Sequence, residues 1–203
     1  ASQQNNTLDR NWMEEFALVG LRVDDMIGFN NIEIKNLSMF VYPDDDKINA
    51  IGVTGVFLGY YLPWDGYNNK LIAQANGFES YGRPVEGHFV DYENLDNHQA
   101  GLHEYLMYLK FGYGRATSQA CIDIRRGRVS REDAAKAVVK LEGMYPQSFL
   151  GKKLTDVLGH IEMTQSQFDV ICEQFTNYEL FELDQEGNLA RNLDGSPIRK
   201  FFP

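Results

Sequence analysis

From residue 94 onward, apolar residues recur at the spacing of amphipathic helices, and glycine or proline interrupts them at short intervals. Leu102, Tyr105, Leu106 and Leu109 follow the i, i+3, i+4, i+7 pattern of one helical face. Further helices are predicted at residues 116–126, after Ser130, at about 148–160 and after Thr164, where capping residues or apolar stripes recur. Residues 94–203 are therefore predicted to form a helical C-terminal domain.

Residues 1–93 have a different pattern. The run from Val53 to Tyr61 is short, β-branched and aromatic, which predicts a buried strand. Asp65 is positioned to cap a helix over residues 66–75, and residues 79–93 have the composition of an irregular loop. The predicted fold class is mainly α with a small α/β portion of one or few strands, in two domains, 1–93 and 94–203.

Charge and hydropathy exclude several classes of partner. The formal net charge of -10 argues against nucleic-acid binding, which requires a basic surface. No apolar run approaches the roughly 20 residues of a membrane span, and no signal peptide is evident. The two cysteines, Cys121 and Cys172, lack metal-ligand spacing and are typical of buried thiols in a reducing compartment. We therefore predict a cytoplasmic protein with neither a nucleic-acid nor a membrane partner and no bound metal.

The break between two predicted helices is the strongest candidate for an anion site. Gly112 and Gly114 are predicted to break the first helix, Lys110 and Arg115 flank this break, and Thr117 or Ser118 can start the next helix. Free backbone N–H groups and the helix dipole favour an anion at a helix N-terminus. One interpretation is a phosphate contact. The other is cations near helix termini that pair with the carboxylates of an acidic chain. The same alternatives apply to the later arginines at 125, 126, 128 and 131.

Three more residues are candidates for contact with a substrate. Trp64 and Asp65 follow the predicted strand, where ligands bind in open α/β sheets; the alternative is a packed tryptophan beside a helix-capping aspartate. Glu86, in the loop, is a candidate catalytic or ligand-orienting carboxylate. His98 and His103 have the wrong spacing to bind one metal from one helical face, although His103 and Glu104 could act in acid–base chemistry.

Several short motifs, taken in this order, are similar to the C-terminal half of the N-acetyl sugar amidotransferases, a family of the PP-loop ATP pyrophosphatase superfamily that serves surface-polysaccharide biosynthesis. The resemblance covers roughly residues 9–180. It rests on Asp9-Arg10-Asn11-Trp12, Phe57-Leu58-Gly59-Tyr60-Tyr61, Pro63-Trp64-Asp65, Arg83-Pro84-Val85-Glu86-Gly87, Tyr92-Glu93-Asn94-Leu95-Asp96, Gly101-Leu102-His103-Glu104-Tyr105-Leu106, the run from Lys110 to Thr117, and Ser130-Arg131-Glu132.

The resemblance implies a reaction. Such enzymes use ATP to activate the carbonyl oxygen of a sugar N-acetyl group, and ammonia from a glutamine amidotransferase subunit then displaces AMP to leave an acetamidino group. The implied substrate is a nucleotide-activated N-acetyl amino sugar. On this basis Lys110, Arg115 and Thr117 are expected to hold phosphate, while Trp64, Asp65 and Glu86 orient the sugar.

The sequence lacks two features of the family pattern. The cysteine pairs that family members often carry near the N-terminus are missing from these 203 residues. The Ser-Gly-Gly-x-Asp-Ser pyrophosphate loop of the family does not occur in these 203 residues. ATP and Mg²⁺ are therefore implied for the complete enzyme, and we expect the 203 residues alone to bind neither and to be inactive. The alternative function is a non-catalytic helical module that forms a homodimer or docks the ammonia-producing partner.

Overall fold

The computed structural model describes residues 7–200. The chain divides into two compact units, the first ending at Trp64 and the second beginning at Asp65. This division precedes the boundary that the sequence predicts at residues 93 and 94.

The first unit consists of short helical segments. Its α-helices are α1 (Arg10–Trp12), α2 (Ile34–Leu37) and α3 (Asp45–Ile51), and α1 continues as a π-helical turn over Met13–Ala17. Turns of 3₁₀-helix lie at Val23–Met26, Phe29–Asn31 and Leu58–Tyr60. Leu37 is the one buried residue among residues 7–64, so the described part of this unit has almost no core of its own.

Most of the described helical residues lie in the second unit, in six α-helices. They are α4 (Gly66–Gln74), α5 (Ala100–Phe111), α6 (Arg115–Arg125), α7 (Arg131–Val138), α8 (Leu154–Gly159) and α9 (Gln165–Phe175). Between α7 and α8, β1 (Ser148–Phe149) pairs antiparallel with β2 (Lys152–Lys153), and Phe149 lies opposite Lys152. The fold is thus mainly helical with one small sheet, which confirms the predicted fold class.

Local sequence explains where these helices begin. The side chains of Asp65, Ser130 and Thr164 accept hydrogen bonds from backbone N–H groups at the starts of α4, α7 and α9. Thr164 and Gln167 form the predicted reciprocal capping box. The capping signals therefore predicted these three helix starts correctly.

Two apolar clusters form the core of the second unit. One joins α5, α8 and α9 through side chains that include Leu109, Leu158 and Phe168. The other joins α6 and α7 through small residues, Ala116, Ala120, Ala134 and Val138. The two clusters hold α5 and α6 on either side of the break at Gly112–Gly114.

Two predicted elements are wrong. The run from Val53 to Tyr61 forms one isolated bridge, between Thr7 and Val56, and then a 3₁₀ turn. Most of its side chains are exposed, Val53 by 69% and Leu58 by 63%, so the burial that stabilises a central strand is missing. The predicted helix at 148–160 begins only at Leu154, because the preceding residues form the β1–β2 hairpin.

The C-terminal part of the second unit is an arm of isolated bridges. Leu183 pairs with Leu189 and Arg191 with Pro197, on either side of turns that contain Gly187 and Gly195. No helix within residues 7–200 has both the length and the apolar character needed to cross a bilayer. Cys121 and Cys172 are free, and burial raises the pKa of Cys172 to about 12.

Candidate functional site

One face of α5 forms the floor of a cavity of about 250 Å³ in the second unit. Gly101, Glu104, Tyr105 and Tyr108 recur at i, i+3, i+4 and i+7, so they lie along one side of the helix and all line this cavity. Glu86 and Arg115, two of the residues singled out from sequence, line it as well. The remaining wall comes largely from residues 141–149.

Three glycines shape this cavity by allowing close approaches. A Cβ atom at Gly101 would lie 2.8 Å from Cβ of Phe149, and one at Gly143 would lie 2.7 Å from the ring of Tyr108. At Gly114, a Cβ would lie 3.2 Å from a carboxylate oxygen of Glu142. Contacts this short leave no room for a side chain, so the glycines allow the aromatic rings and the carboxylate to reach α5 and the start of α6.

The Glu104–Arg115 pair lies in the wall of the cavity. Nε and Nη2 of Arg115 donate to the same oxygen, Oε1 of Glu104, at 2.9 and 2.8 Å. Glu104 is 6% exposed, and its second oxygen, Oε2, is buried with no hydrogen-bond partner among the described residues. A buried carboxylate oxygen without a partner is costly, so this position favours a ligand or water that donates an N–H or O–H group.

Glu142 occupies the N-terminus of α6. Its Oε1 accepts from the backbone N–H of Thr117 at 2.6 Å, and its Oε2 accepts from the hydroxyl of Thr117 at 2.9 Å. The N-cap residue, Gly114, has no side chain that could cap the helix. The anion at this helix N-terminus is therefore a carboxylate of the chain itself, supplied from the segment that follows α7.

Glu86 connects the loop to the β1–β2 hairpin. Its Oε1 accepts from the hydroxyl of Ser148 and its Oε2 from the backbone N–H of Leu150, both at 3.1 Å. Because Ser148 and Phe149 also line the cavity, Glu86 positions one edge of its wall.

His88 lies behind this wall. It is 3% exposed, packs against the Phe149 ring at a centroid distance of 5.5 Å, and neither ring nitrogen has a hydrogen-bond partner among the described residues. Burial lowers the pKa of His88, while the negative charge of Glu104 opposes this effect. The imidazole is therefore neutral at neutral pH.

The structure does not bring the predicted phosphate residues together in this cavity. The ammonium of Lys110 lies over the rings of Phe111 and Phe175, 5.3 and 5.7 Å from their centroids, and Lys110 is not part of the cavity wall. Arg115 is bound by Glu104, and Thr117 by Glu142. Three glutamates and one arginine line the cavity, so its charge disfavours a phosphate group.

Asp65 and Trp64 also lie outside the wall of the cavity. Nη1 and Nη2 of Arg128 donate to the two oxygens of Asp65 at 2.8 and 2.9 Å, and Asp65 caps α4. The hydrogen bonds from Arg128 lower the pKa of Asp65. Both oxygens of this carboxylate are thus used within the protein. The side chain of Trp64 is 67% exposed.

Sequence reasoning missed Glu142 and His88 as residues near the site and considered Glu104 only beside His103. A signal for Glu104 was present, since it lies between Gly101 and Tyr108 on a face that is otherwise small or aromatic. A carboxylate on such a face needs a buried partner. No comparable signal identifies Glu142, because its contact with Thr117 depends on how α6 and α7 pack.

Residues 78–193, more than half of the chain, match the family model described as LPS biosynthesis protein WbpG-like, C-terminal domain. All residues that line the cavity fall inside this range. No curated protein matches the chain.

Proposed function

The chain belongs to the family of LPS biosynthesis proteins with a WbpG-like C-terminal domain, and from this premise we propose that its cavity binds the N-acetyl amino sugar of a polysaccharide precursor. The reaction served would be the ATP-dependent conversion of the sugar's N-acetyl group to acetamidino, as the resemblance to the N-acetyl sugar amidotransferases implies. The observation that carries the proposal is the buried, unpartnered Oε2 of Glu104 beside the guanidinium of Arg115.

An acetamido group presents one N–H donor and one carbonyl acceptor. Oε2 of Glu104 can accept from the amide N–H, and Arg115 has guanidinium N–H groups beyond the two that bind Glu104. The rings of Tyr105, Tyr108 and Tyr145 line the same cavity and offer apolar faces to a sugar ring. These contacts would bind and orient the N-acetyl group.

The size of the cavity fits a monosaccharide. Pockets for drug-sized ligands are about 300–1,000 Å³, and this cavity, at about 250 Å³, is slightly smaller. A single sugar would fill it, and the rest of a larger precursor would lie outside.

We propose that the ATP and Mg²⁺ of the complete reaction are bound outside this cavity. Residues 7–200 contain no group of three His, Cys, Asp or Glu side chains placed to hold a metal ion. The cavity is also lined by more carboxylates than cations. ATP would supply the activation of the carbonyl oxygen, and we assign no part of that step to these residues.

Thermal unfolding with and without ligand tests this proposal. A ligand that binds only the native state raises the melting temperature. We expect UDP-N-acetylglucosamine and related UDP-N-acetyl amino sugars to raise it more than UDP-glucose, which lacks the acetamido group. The variant Glu104→Gln should lose most of this difference, whereas Glu132→Gln, at an exposed ion pair on α7, should retain it.

Equal increases in melting temperature with the UDP-N-acetyl amino sugars and with UDP-glucose would contradict the proposal. So would a Glu104→Gln variant that responds as the wild type does.

The exposed apolar surface of the first unit favours a second function, the docking of a protein. Large apolar side chains are more than 60% exposed there, including Phe16, Val19, Met39, Phe40 and Ile51. Exposed apolar surface of this kind is typical of protein–protein contacts. We propose that this unit docks a protein, either a second copy of the chain or the glutamine amidotransferase subunit that would supply ammonia. Light scattering of the chain alone, and with that subunit, distinguishes the two.

A further inference from the structure

Three cations lie close, in space or in sequence, to the turn of the β1–β2 hairpin, which directly follows Ser148 and Phe149 of the cavity wall. We call Arg83, Lys152 and Lys153 the hairpin cations. The guanidinium of Arg83 lies over the Tyr81 ring, 4.4 Å from its centroid, and donates to the Tyr81 hydroxyl. A Cβ atom at Gly151 would lie 3.8 Å from Nη2 of Arg83. Arg83 therefore lies against the hairpin turn.

The turn itself is held in place at the cavity. Leu150 and Gly151 have φ values of 49° and 77°, the positive values that a tight two-residue hairpin turn requires. Leucine rarely adopts this conformation, and the hydrogen bond from its N–H to Glu86 stabilises it here. Since Glu86, Ser148 and Phe149 line the cavity, the turn lies next to this part of its wall, which we call the rim.

None of the hairpin cations forms an ion pair in the described part of the chain. Within residues 7–200, none of the hairpin cations has a carboxylate oxygen within 4.0 Å of its charged nitrogen atoms. By contrast, carboxylates pair with Arg115 in the cavity wall and with Arg128 beside Asp65. Both oxygens of Glu86 accept hydrogen bonds from the hairpin. Lys152 and Lys153 are exposed.

We propose that the hairpin cations bind the phosphoryl groups of the precursor whose sugar occupies the cavity. This inference rests on the proposed function, because it is the sugar in the cavity that brings the phosphates to the rim. A cavity of about 250 Å³ leaves no room for a diphosphate beside a sugar, and its glutamates would repel one. Lysine and arginine groups without carboxylate partners provide the charge that a diphosphate requires.

The diphosphate has two chemical sources, a nucleoside diphosphate sugar and a lipid-linked diphosphate sugar. Both present the same anionic group next to the sugar, and the hairpin cations would bind either. The ligands used to test the proposal must therefore include one of each kind.

Isothermal titration calorimetry with matched ligands tests whether the hairpin cations bind a diphosphate. The probes are N-acetylglucosamine, UDP-N-acetylglucosamine, UDP, and N-acetylglucosamine linked through diphosphate to a short prenyl chain. We expect the diphosphate ligands to bind at least about 10-fold more tightly than the free sugar, a gain that falls with increasing salt. In Lys152→Ala/Lys153→Ala, and in Arg83→Ala, most of this gain should disappear while the affinity for free N-acetylglucosamine stays unchanged.

The matched control is Lys35→Ala/Lys47→Ala, which removes the same charge from exposed ion pairs of the first unit. It should bind every ligand as the wild type does. If the control loses as much affinity as Lys152→Ala/Lys153→Ala, the effect is one of net charge and the proposal is overturned. The proposal is also overturned if UDP-N-acetylglucosamine binds the hairpin variants as tightly as the wild type.

Failure of the sugar site has a different signature. In one outcome, free N-acetylglucosamine does not bind, UDP binds the wild type, and the hairpin variants no longer bind UDP. The sugar assignment would then be wrong, and the phosphate site at the hairpin would stand. Tighter binding of UDP-N-acetylglucosamine would identify the precursor as a nucleoside diphosphate sugar, and tighter binding of the prenyl ligand would identify it as a lipid-linked sugar.

Discussion

Both hydrogen bonds from Arg115 to Glu104 end on one carboxylate oxygen, Oε1, and leave Oε2 buried without a partner in the described structure. A two-point pair, such as the one between Arg128 and Asp65, uses both oxygens. Both oxygens of Asp65 are therefore used within the protein, whereas Glu104 retains one oxygen that can accept a hydrogen bond from a ligand. This difference is the reason for placing the substrate at α5 and not at Asp65.

The first prediction concerns the stability of this pair. Replacing Glu104 by alanine leaves the guanidinium of Arg115 unpaired, and we expect a loss of about 1–2 kcal/mol in the free energy of unfolding, since Arg115 is partly exposed to solvent. Glu104→Gln keeps one acceptor and should lose less. Urea unfolding measures both. An alanine variant as stable as the wild type would show that the pair does not stabilise the fold.

His88 predicts a dependence of stability on pH. Because burial lowers its pKa in the folded state, the unfolded chain takes up a proton first as the pH falls. The free energy of unfolding should therefore decrease as the pH drops below about 6.5, the ordinary value for histidine. In His88→Phe this decrease should be absent, as measured by urea unfolding between pH 7 and pH 5. A variant with the same pH dependence as the wild type would contradict the assignment.

Gly143 should tolerate alanine poorly. Its φ of 81° is unfavourable for alanine, and the added Cβ would lie 2.7 Å from the Tyr108 ring. We expect a loss of about 2–4 kcal/mol in unfolding free energy. Gly187 is the matched control, because its φ is 86° and a Cβ there has no neighbour within 4 Å. Gly187→Ala should cost about 1 kcal/mol. Equal losses would show that the contact with Tyr108 has no effect.

The hairpin turn allows a stabilising substitution. Asparagine adopts positive φ more readily than leucine, so Leu150→Asn should raise the free energy of unfolding by about 0.5–1 kcal/mol. Leu193→Asn, at a fully exposed leucine, controls for the change in side chain and should have little effect. Thermal or urea unfolding of both variants provides the comparison, and a destabilised Leu150→Asn would contradict the turn geometry.

Much of the helical architecture follows from local sequence. Asp65, Ser130 and Thr164 each cap a helix at the predicted place, because capping depends only on neighbouring residues. The predicted strand at Val53–Tyr61 failed because β propensity describes a half-buried surface, and this segment is exposed. The hairpin at 148–153 was missed because Leu150, and not asparagine or glycine, begins its turn.

The site was only partly predictable, for a physical reason. Sequence indicated an anion at the start of α6, and the structure has one there, but it is Glu142 of the same chain. A helix N-terminus attracts any anion, and sequence spacing does not distinguish a bound phosphate from a carboxylate brought in by tertiary packing. Glu86 and Arg115 were identified from their neighbours along the chain, whereas Glu142 requires the packing of α6 against α7.

Mapping of the bound sugar by NMR is the most direct test of the central claim that an N-acetyl amino sugar binds in the cavity. Gly101, Gly114 and Gly143 all line it, and their backbone amide resonances report on a ligand there, while Gly187 and Gly195 serve as internal controls outside its wall. On titration with UDP-N-acetylglucosamine, the three cavity glycines should shift in the wild type and much less in Glu104→Gln. Shifts confined to other residues, or the same shifts with UDP-glucose, would contradict the claim.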